Sequence, residues 1–394
     1  MAPDICIDRT EWAAFLSHLY WNHAITGTPK ITKKSLSNRQ AEILLSQLPS
    51  EFIETSNSAP FKEKKDFDFR FIDLFAGIGG FRLALNQSHG RCVFSSEWDE
   101  SARQTYFNNY GEIPFGDITK FTNNSISDKA LNDLIPDHEV LAAGFPCQPF
   151  SRAGVSARNS LNQAHGFNCE SQGTLFYDVV RIAAVKKPKA LILENVRNLK
   201  SHDHGTTFRV IKETIEGLGY FFTDALINSQ ALVPQKRIRC YMIAIRNDYP
   251  KFNFNLTPFE GPPIALSTIL ETGKNTKEYI ISEKLWNGHQ SRTKRNLERG
   301  AGFTAVVADI KKPANTLVAR YYKDGKECLI PSKGKTPRKL TKREAARLQG
   351  YPEKFLLPES KTPTYKQMGN SVSVPVVSEI ASQVTKHLRI NNGI

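Results

Sequence analysis

A single cysteine, Cys147, lies between Pro146 and Pro149, directly after the apolar run Val140–Ala143. The run predicts a buried strand, and each proline biases the residue before it toward an extended backbone. We therefore expect the thiol on a stiffened loop at the carboxyl end of a strand, which is where ligands bind in open α/β sheets. A free cysteine is more often a buried structural residue. The rest of the sequence has to decide between these two interpretations.

Covalent chemistry on a pyrimidine would use an acid and a cation beside this thiol. A thiolate can attack C6 of cytosine if a carboxylic acid protonates N3, and Glu194, which ends the apolar run 190–193, is the candidate acid. The attack makes C5 nucleophilic, so that C5 can take a methyl group from a sulfonium donor. Loss of the C5 proton and expulsion of the thiolate then restore the ring. Arg239 would steady the O2 side of the ring and help to keep the thiol ionised.

The same scheme makes demands on the rest of the chain. The base is out of reach inside a duplex, so it has to be flipped into the pocket. Residues 152–172 form a long polar stretch without periodicity, and this is typical of a functional lid or of disorder. Arg237 is expected on the same strand face as Arg239.

A glycine-rich turn at 76–80 follows the first predicted strand and opens a helix. Such a turn lets backbone N–H groups approach a ligand closely. It departs from the dinucleotide pattern, because Arg82 stands where the last glycine should be. Glu97, 20 residues after Gly77 and at the end of the next predicted strand, is placed to accept hydrogen bonds from ribose hydroxyls. Trp98 beside it can stack on an adenine.

The elements that would position these residues alternate between strand and helix from Phe69 to about residue 251, which predicts an α/β domain. Residues 1–66 predict two short helices and a charged linker. A helical cap or a dimerisation arm is favoured there over a helix-turn-helix DNA reader. The chain from Phe252 to Arg338 shows no helix–strand rhythm, and residues 252–340 are therefore predicted to form a second domain. Regular pattern returns in the part 341–394, with a capped helix and a final helix.

Composition limits the class of protein. The formal charge is +14, and residues 271–340 hold 16 Lys/Arg against 7 Asp/Glu, which favours a surface that faces phosphates. No apolar run is long enough to span a bilayer, and the N-terminal residues do not resemble a secretory signal. The six cysteines include no C-x-x-C pair, so no metal site is predicted. A reducing cytoplasm is expected.

Nine motifs in order give the chain a family resemblance. They are Phe71–Phe81, Glu97-Trp98, Asp117-Ile118, Gly144–Ser151, Gly173–Asp178, Glu194–Val196, Gln235–Arg239, Arg343–Pro352 and Gly369–Pro375. From about Phe69 onward the chain resembles the C5-cytosine DNA methyltransferases of bacterial restriction–modification systems. The resemblance implies a Rossmann-like S-adenosylmethionine-dependent methyltransferase domain at 67–251 and a small target-recognition domain at 252–340. It also implies that the final helix returns to the large domain.

The resemblance also implies roles for individual residues. The catalytic set is Cys147 as nucleophile, Glu194 as acid, Arg239 as support and Arg237. The set that would hold S-adenosylmethionine is Phe75, Ala76, Gly77, Gly79, Gly80, Glu97, Trp98, Asp117, Ile118, Pro146, Leu175, Asn370 and Ser371. The set expected at DNA is Gln148, Ser151, Gln235, Thr316, Leu317, Arg320 and Lys323.

The segments 299–303 and 316–325 resemble the subgroup that methylates the inner cytosine of CC-W-GG, CC-N-GG or CCGG sites. Arg320 and Lys323 would read guanine in the major groove or would only touch phosphate, and the sequence leaves both open. One departure is Gln172, where many members carry arginine, and it puts one DNA contact near the lid in doubt.

Three other functions compete with a DNA methyltransferase. A tRNA cytosine methyltransferase of the same family is disfavoured by the large basic domain. A catalytically silent DNA-binding protein is disfavoured by the intact catalytic set. A nicotinamide oxidoreductase is disfavoured by Arg82. The expected partners are double-stranded DNA and a possible cognate endonuclease, and no membrane is expected. The protein is predicted to act as a monomer in the bacterial cytoplasm, at the nucleoid.

Overall fold

The computed structural model describes residues 9–26, 37–62, 65–146, 175–300, 304–334 and 336–394. The chain divides into two compact units. The larger unit comprises Met1–Leu226, Arg239–Asn255 and Ser378–Ile394, and the smaller unit comprises Ile227–Ile238 and Leu256–Val377. In this division residues 341–377 are grouped with the smaller unit and Ser378–Ile394 with the larger one. The domain bounds predicted from the sequence stay predictions.

A six-stranded sheet forms the centre of the larger unit. Its strands are β1 (Phe69–Leu74), β2 (Gly90–Ser96), β3 (Val140–Ala143), β4 (Ala190–Val196), β5 (Tyr220–Asn228) and β6 (Ile238–Arg246). They lie in the order β2-β1-β3-β4-β6-β5. The pairs β1–β2, β1–β3 and β3–β4 are parallel, and β4–β6 is antiparallel. β3 is buried throughout, as expected for a central parallel strand that is apolar along its whole length.

The helices of the larger unit precede β1 or lie between successive strands in the chain. They are α1 (Arg9–Thr26), α2 (Asn38–Leu45), α3 (Ser50–Ser58), α4 (Gly80–Gln87), α5 (Glu100–Tyr110), α6 (Thr119–Thr122), α7 (Asp128–Leu134), α8 (Leu175–Lys186) and α9 (Thr206–Gly217). The main apolar core joins strand residues such as Ile72 and Leu141 to helix residues such as Val179 and Ile215. The predicted strand–helix alternation is confirmed.

The smaller unit contains α10 (Glu283–Glu298), α11 (Tyr321–Asp324), α12 (Lys342–Leu348) and α13 (Lys361–Asn370), and the last helix is α14 (Val374–Ile390). Short 3-10 turns lie in the larger unit at Arg197–Lys200 and His202–Gly205. Those of the smaller unit lie at Ser229–Ala231, Thr257–Phe259, Leu266–Ile269 and Lys274–Tyr279. The helix predicted at Thr341 has a capping box, in which the Thr341 and Glu344 side chains each accept from the other's backbone N–H. Within the smaller unit, Arg338 pairs with the buried Glu344 at 2.7 Å.

Two helices were not expected from the sequence. Helix α10 lies in the 252–338 stretch, for which the sequence predicts no helix–strand rhythm, and it begins at a Ser282 side chain that accepts from the backbone N–H of Leu285. α3 lies partly in the segment taken as a linker, and its Phe52 packs with Leu16 and Leu48. Both helices are too polar to give a clear apolar period, and a cap or one anchoring side chain positions them instead.

Helix α1 packs against its own unit. The Trp21 indole N–H donates to the Gly111 carbonyl at 2.6 Å, and the Ile113 backbone N–H donates to Ser17 Oγ at 3.0 Å. His18 stacks on Phe115 with 5.2 Å between ring centroids. Helix α1 therefore packs on the chain that follows α5, and the predicted role of the extension as a cap or a dimerisation arm stays a prediction.

Candidate functional site

The turn after β1 has a backbone that few side chains tolerate. Phe75, Gly77 and Gly79 have φ of 55°, 55° and 80°, in the left-handed region. A Cβ at Gly79 would lie 2.3 Å from Cε2 of Tyr110, whose hydroxyl donates to the Gly79 carbonyl at 2.7 Å. A glycine is therefore required at 79 both by conformation and by space. The turn leads into α4 at Gly80, so backbone N–H groups at the start of the helix are available to a ligand.

Glu97 joins the end of β2 to this turn. Its Oε2 accepts from the Gly77 backbone N–H at 2.7 Å, and its Oε1 accepts from that of Asp99 at 2.8 Å. Burial raises the pKa of Glu97, and these two hydrogen bonds oppose the rise. Trp98 stands beside it with 77% of its surface exposed. An exposed tryptophan next to a buried, oriented carboxylate suits an adenine and its ribose.

A third segment, Phe115–Ile118, lies alongside the end of β2. The Glu97 backbone N–H donates to the Phe115 carbonyl at 2.8 Å, and Ile118 is buried. Asp117 Oδ1 accepts from the backbone N–H of Thr119, the first residue of α6, at 2.9 Å. The turn after β1, the end of β2 and this segment therefore meet at one edge of the sheet, and their residue types fit the predicted S-adenosylmethionine site.

Glu194 and Arg239 lie diagonally across the antiparallel pair β4–β6, in which Glu194 is paired with Tyr241 and Arg239 with Val196. Arg239 Nε lies 3.1 Å from Glu194 Oε1, and both side chains are largely buried. A Cβ at Gly144 would lie 3.7 Å from Glu194 Oε2. The neighbouring Asn195 donates its side-chain N–H to the Phe145 carbonyl at 2.9 Å. The structure thus brings the predicted acid and the predicted cation together at the chain that leads to Cys147.

Cys147, Gln148 and Ser151 lie outside the described residues. Of the flanking positions, Pro146 is exposed and Leu175, the first residue of α8, is partly buried. The other cysteines described are buried at 92, 240 and 328, and burial raises the pKa of the Cys240 and Cys328 thiols to about 12. Those two thiols are therefore un-ionised, unreactive groups at neutral pH.

Several predicted site residues hold the smaller unit together. The Arg237 guanidinium donates to the carbonyls of Leu317, Gly369 and Ser371 at 3.1, 3.2 and 2.7 Å. Gln235 is fully buried, and its Oε1 accepts from the Leu317 backbone N–H at 2.7 Å. These contacts give both side chains a structural task, and their predicted roles in catalysis and DNA binding stay predictions.

The remaining predicted contacts of the smaller unit differ in exposure. Leu317 is fully buried, and Thr316 donates its hydroxyl to the Lys236 carbonyl at 2.6 Å. Arg320 and Lys323 are exposed at the start of α11 and within it. Asn370 is exposed at the end of α13. Exposed cations can reach a nucleic acid, whereas the Leu317 side chain is buried and its backbone N–H and carbonyl are bound by Gln235 and Arg237.

A buried polar network near the turn after β1 was not predicted from the sequence. Arg82 is fully buried, and its Nη1 lies 3.2 Å from Glu112 Oε1 and donates to the Tyr106 hydroxyl at 2.9 Å. His18 Nε2 lies 3.5 Å from the same Glu112 oxygen. Burial would raise the pKa of Glu112, but the Arg82 guanidinium lowers it below its usual value. The only signal in the sequence was the arginine in place of a glycine at position 82.

The described residues hold neither a membrane-spanning helix nor a metal-binding cluster. Across the described ranges, no helix has both the length and the apolar character needed to cross a membrane. In the same part of the chain, no group of three or more His, Cys, Asp or Glu side chains is placed to hold a metal ion.

Comparison with known proteins gives matches over most of the chain. The family model "C-5 cytosine-specific DNA methylase" matches residues 69–386. Type II methyltransferase M.SsoII of Shigella sonnei is 44% identical over 342 residues, which is 85% of each chain. A DNA-cytosine methyltransferase of Escherichia coli (strain K12) is 40% identical over 400 residues, covering 89% of this chain and 84% of the relative.

Solved structures support the fold. The crystal structure of S. pombe Dnmt2 methyltransferase superposes with a TM-score of 0.63 at 19% identity, covering 82% of this chain and 99% of that one. At this identity the likeness concerns the fold alone, and it confirms the predicted Rossmann-like α/β architecture.

Proposed function

This chain belongs to the C-5 cytosine-specific DNA methylase family, and on that premise we propose how its residues methylate a flipped cytosine at C5. The enzyme is a DNA (cytosine-5)-methyltransferase of the restriction–modification type that uses S-adenosylmethionine. The observation that carries the mechanism is the Glu194–Arg239 pair beside Gly144, three residues before Cys147.

The proposed steps begin at the pyrimidine. The Cys147 thiolate forms a bond to C6 while Glu194 delivers a proton to N3, so that C5 becomes nucleophilic. S-adenosylmethionine, when bound, supplies an electrophilic methyl group. After C5 is methylated, a base removes the C5 proton, the bond between C6 and the Cys147 sulfur breaks with its electron pair returning to the thiolate, and N3 gives its proton back to Glu194. Arg239 holds the Glu194 carboxyl in place and offers charge to the O2 side of the ring.

The turn after β1 and the end of β2 would hold the methyl donor. Glu97 accepts from ribose hydroxyls, Trp98 stacks on the adenine, and backbone N–H groups near Gly79 approach the amino-acid part. Asn195 fixes the Phe145 carbonyl and thereby the start of the loop that carries the nucleophile.

Removal of the thiol tests the mechanism. In Cys147→Ala, methyl transfer to duplex DNA should disappear while S-adenosylmethionine binding persists, because the donor site does not include the sulfur. A duplex that contains 5-fluorocytosine should trap a covalent adduct on Cys147 of the native enzyme, because fluorine blocks loss of the C5 substituent. Undiminished turnover in Cys147→Ala, or no adduct at that sulfur, would contradict the mechanism.

The target and the setting are further parts of the proposal. We propose the inner cytosine of a short palindrome such as CC-W-GG, CC-N-GG or CCGG, methylated by a monomer at the bacterial nucleoid to protect DNA from a cognate endonuclease. The 299–303 and 316–325 segments support this target. Bisulfite sequencing of DNA from a methylation-free host that expresses the chain would give the methylated word. Equal transfer of labelled methyl groups to tRNA would favour the RNA branch of the family instead.

A further inference from the structure

Helix α10, Glu283–Glu298, and its C-cap Arg299 carry a line of positive charge that the proposed mechanism does not use. The line consists of Lys284, Gly288, Arg292, Arg295 and Arg299, spaced by 4, 4, 3 and 4 residues. A helix completes a turn every 3.6 residues, so this spacing places all five on one side. All five are exposed. We refer to them as the basic line.

Neighbouring positions of the helix anchor it to the smaller unit. His289 is buried with its Nε2 3.2 Å from the Asp324 carbonyl, and Thr293 Oγ1 accepts from the Ala305 backbone N–H at 3.1 Å. Arg292 lies 3.5 Å from an Asp324 carboxylate oxygen, so its charge is partly compensated. Within the described ranges, Lys284, Arg295 and Arg299 have no carboxylate partner within the 4.0 Å of an ion pair.

Two members of the basic line do not serve the stability of the helix. Lys284 lies in the first turn, where the helix dipole disfavours a cation. Gly288 lies in the helix interior, where glycine is less stable than alanine. A Cβ at Gly288 would meet nothing within 4 Å, so packing inside the unit does not require a glycine. A bare stretch of backbone between cations instead leaves room for a ligand to come close.

We propose that the basic line is a phosphate-binding surface that follows one strand of the DNA duplex and does not read its sequence. The inference rests on the proposed function. At a rise of 1.5 Å per residue, Lys284 to Arg299 spans about 22 Å, which matches roughly six nucleotides of one strand at 3.4 Å each. Arginine is suited to phosphate because its planar guanidinium donates two parallel hydrogen bonds.

The test compares two charge-matched double variants. Lys284→Gln/Arg295→Gln removes two charges from the basic line, and Lys129→Gln/Lys386→Gln removes two exposed charges from the larger unit. The binding of each variant to a labelled duplex is measured between about 50 and 200 mM salt. The first variant should lower the slope of log affinity against log salt by about two and weaken binding at 0.1 M roughly tenfold per lost contact. The control should leave both quantities unchanged.

Further readouts separate this surface from a specificity or folding defect. The loss should be equal for duplexes with and without the methylation site, and the kcat at saturating DNA should be unchanged. Gly288→Ala should raise the melting temperature, because alanine favours the helix, and yet weaken duplex binding several-fold with an unchanged salt slope. An alanine variant that is more stable but binds more weakly cannot be explained by misfolding.

The outcomes against the inference are distinct from failure of the proposed function. If native protein methylates duplex DNA but Lys284→Gln/Arg295→Gln gives the same salt slope as the control, the basic line does not bind phosphate. A loss confined to tRNA binding would also overturn the inference, because the surface would then serve RNA. If native protein does not methylate duplex DNA at all, the proposed function fails first.

Discussion

Arg82→Met tests the buried network below the donor turn. The substitution keeps a long, unbranched side chain and removes the guanidinium, which pairs with Glu112 at 3.2 Å and bonds the Tyr106 hydroxyl at 2.9 Å. Glu112 then stays buried with the Ser95 hydroxyl at 3.5 Å, with His18 and with a smaller charge interaction from Arg91. Burial lowers the pKa of His18, so that it is a poor cation at neutral pH. A buried carboxylate without its main countercharge is the expected cause of instability.

The size of the loss follows from the burial of both partners. Removal of one member of a buried ion pair costs about 3–5 kcal/mol. With an unfolding entropy of about 2.1 cal/mol/K per residue, a loss of 4 kcal/mol lowers the melting temperature of the 394-residue chain by about 5 °C. The affinity for S-adenosylmethionine should also fall, because Arg82 lies 4.8 Å over the ring of Tyr110, whose hydroxyl holds the Gly79 carbonyl.

Urea and thermal denaturation measure the loss, and calorimetric titration measures the affinity for the donor. Arg70→Met is a matched control on the same β1–α4 segment, because Arg70 pairs with Glu139 at 2.9 Å while 42% of its side chain is exposed. Exposed pairs contribute about 0–1 kcal/mol. Arg82→Met/Glu112→Gln should recover part of the loss, since it removes the unpaired charge. A loss below about 1 kcal/mol for Arg82→Met, or no recovery in the double variant, would refute the reasoning.

Three other predictions follow from single contacts. Gly79→Ala should destabilise the chain by about 1–3 kcal/mol and weaken donor binding, because its Cβ would lie 2.3 Å from Tyr110; unchanged donor affinity would count against the turn as the donor site. Asn195→Ala should lower kcat by about 10- to 100-fold with little effect on donor affinity, because it frees the Phe145 carbonyl; single-turnover methylation would measure it. Burial lowers the pKa of His138 to about 4. Between pH 6.5 and 4 this imidazole is therefore protonated in the unfolded chain but neutral in the folded chain. The free energy of unfolding should therefore decrease by up to about 3 kcal/mol as the pH is lowered from 6.5 to 4. His138→Gln should remove that part of the pH dependence in urea titrations.

Local patterns carried the prediction of the sheet. β3 has the predicted bounds, Val140–Ala143, because four apolar residues in a row fit a central parallel strand and little else. Helix α10 was missed because its sequence is polar and basic on its exposed sides, and its Ser282 cap alone does not mark a helix. An amphipathic period is visible only where a helix buries a wide apolar face.

The candidate site was predictable where one element carries its own motif. Glu194 and Arg239 were assigned from separate motifs, and their 3.1 Å contact arises because β4 and β6 pair in antiparallel register. The Arg82–Glu112–His18 network was not predictable, because its members come from three elements and follow no local period. A motif also does not show whether a residue takes part in catalysis or stabilises the fold. Arg237, assigned to the catalytic set, donates to three backbone carbonyls of the smaller unit.

Helix α1 has a practical consequence for anyone who shortens the chain. The family match begins at residue 69, and a gene trimmed there would look complete by homology. Its product would lose the indole that satisfies the Gly111 carbonyl and the ring that shields Phe115. A chain trimmed in this way should aggregate on expression. We therefore expect the N-terminal extension to be needed for the rest of the protein to fold.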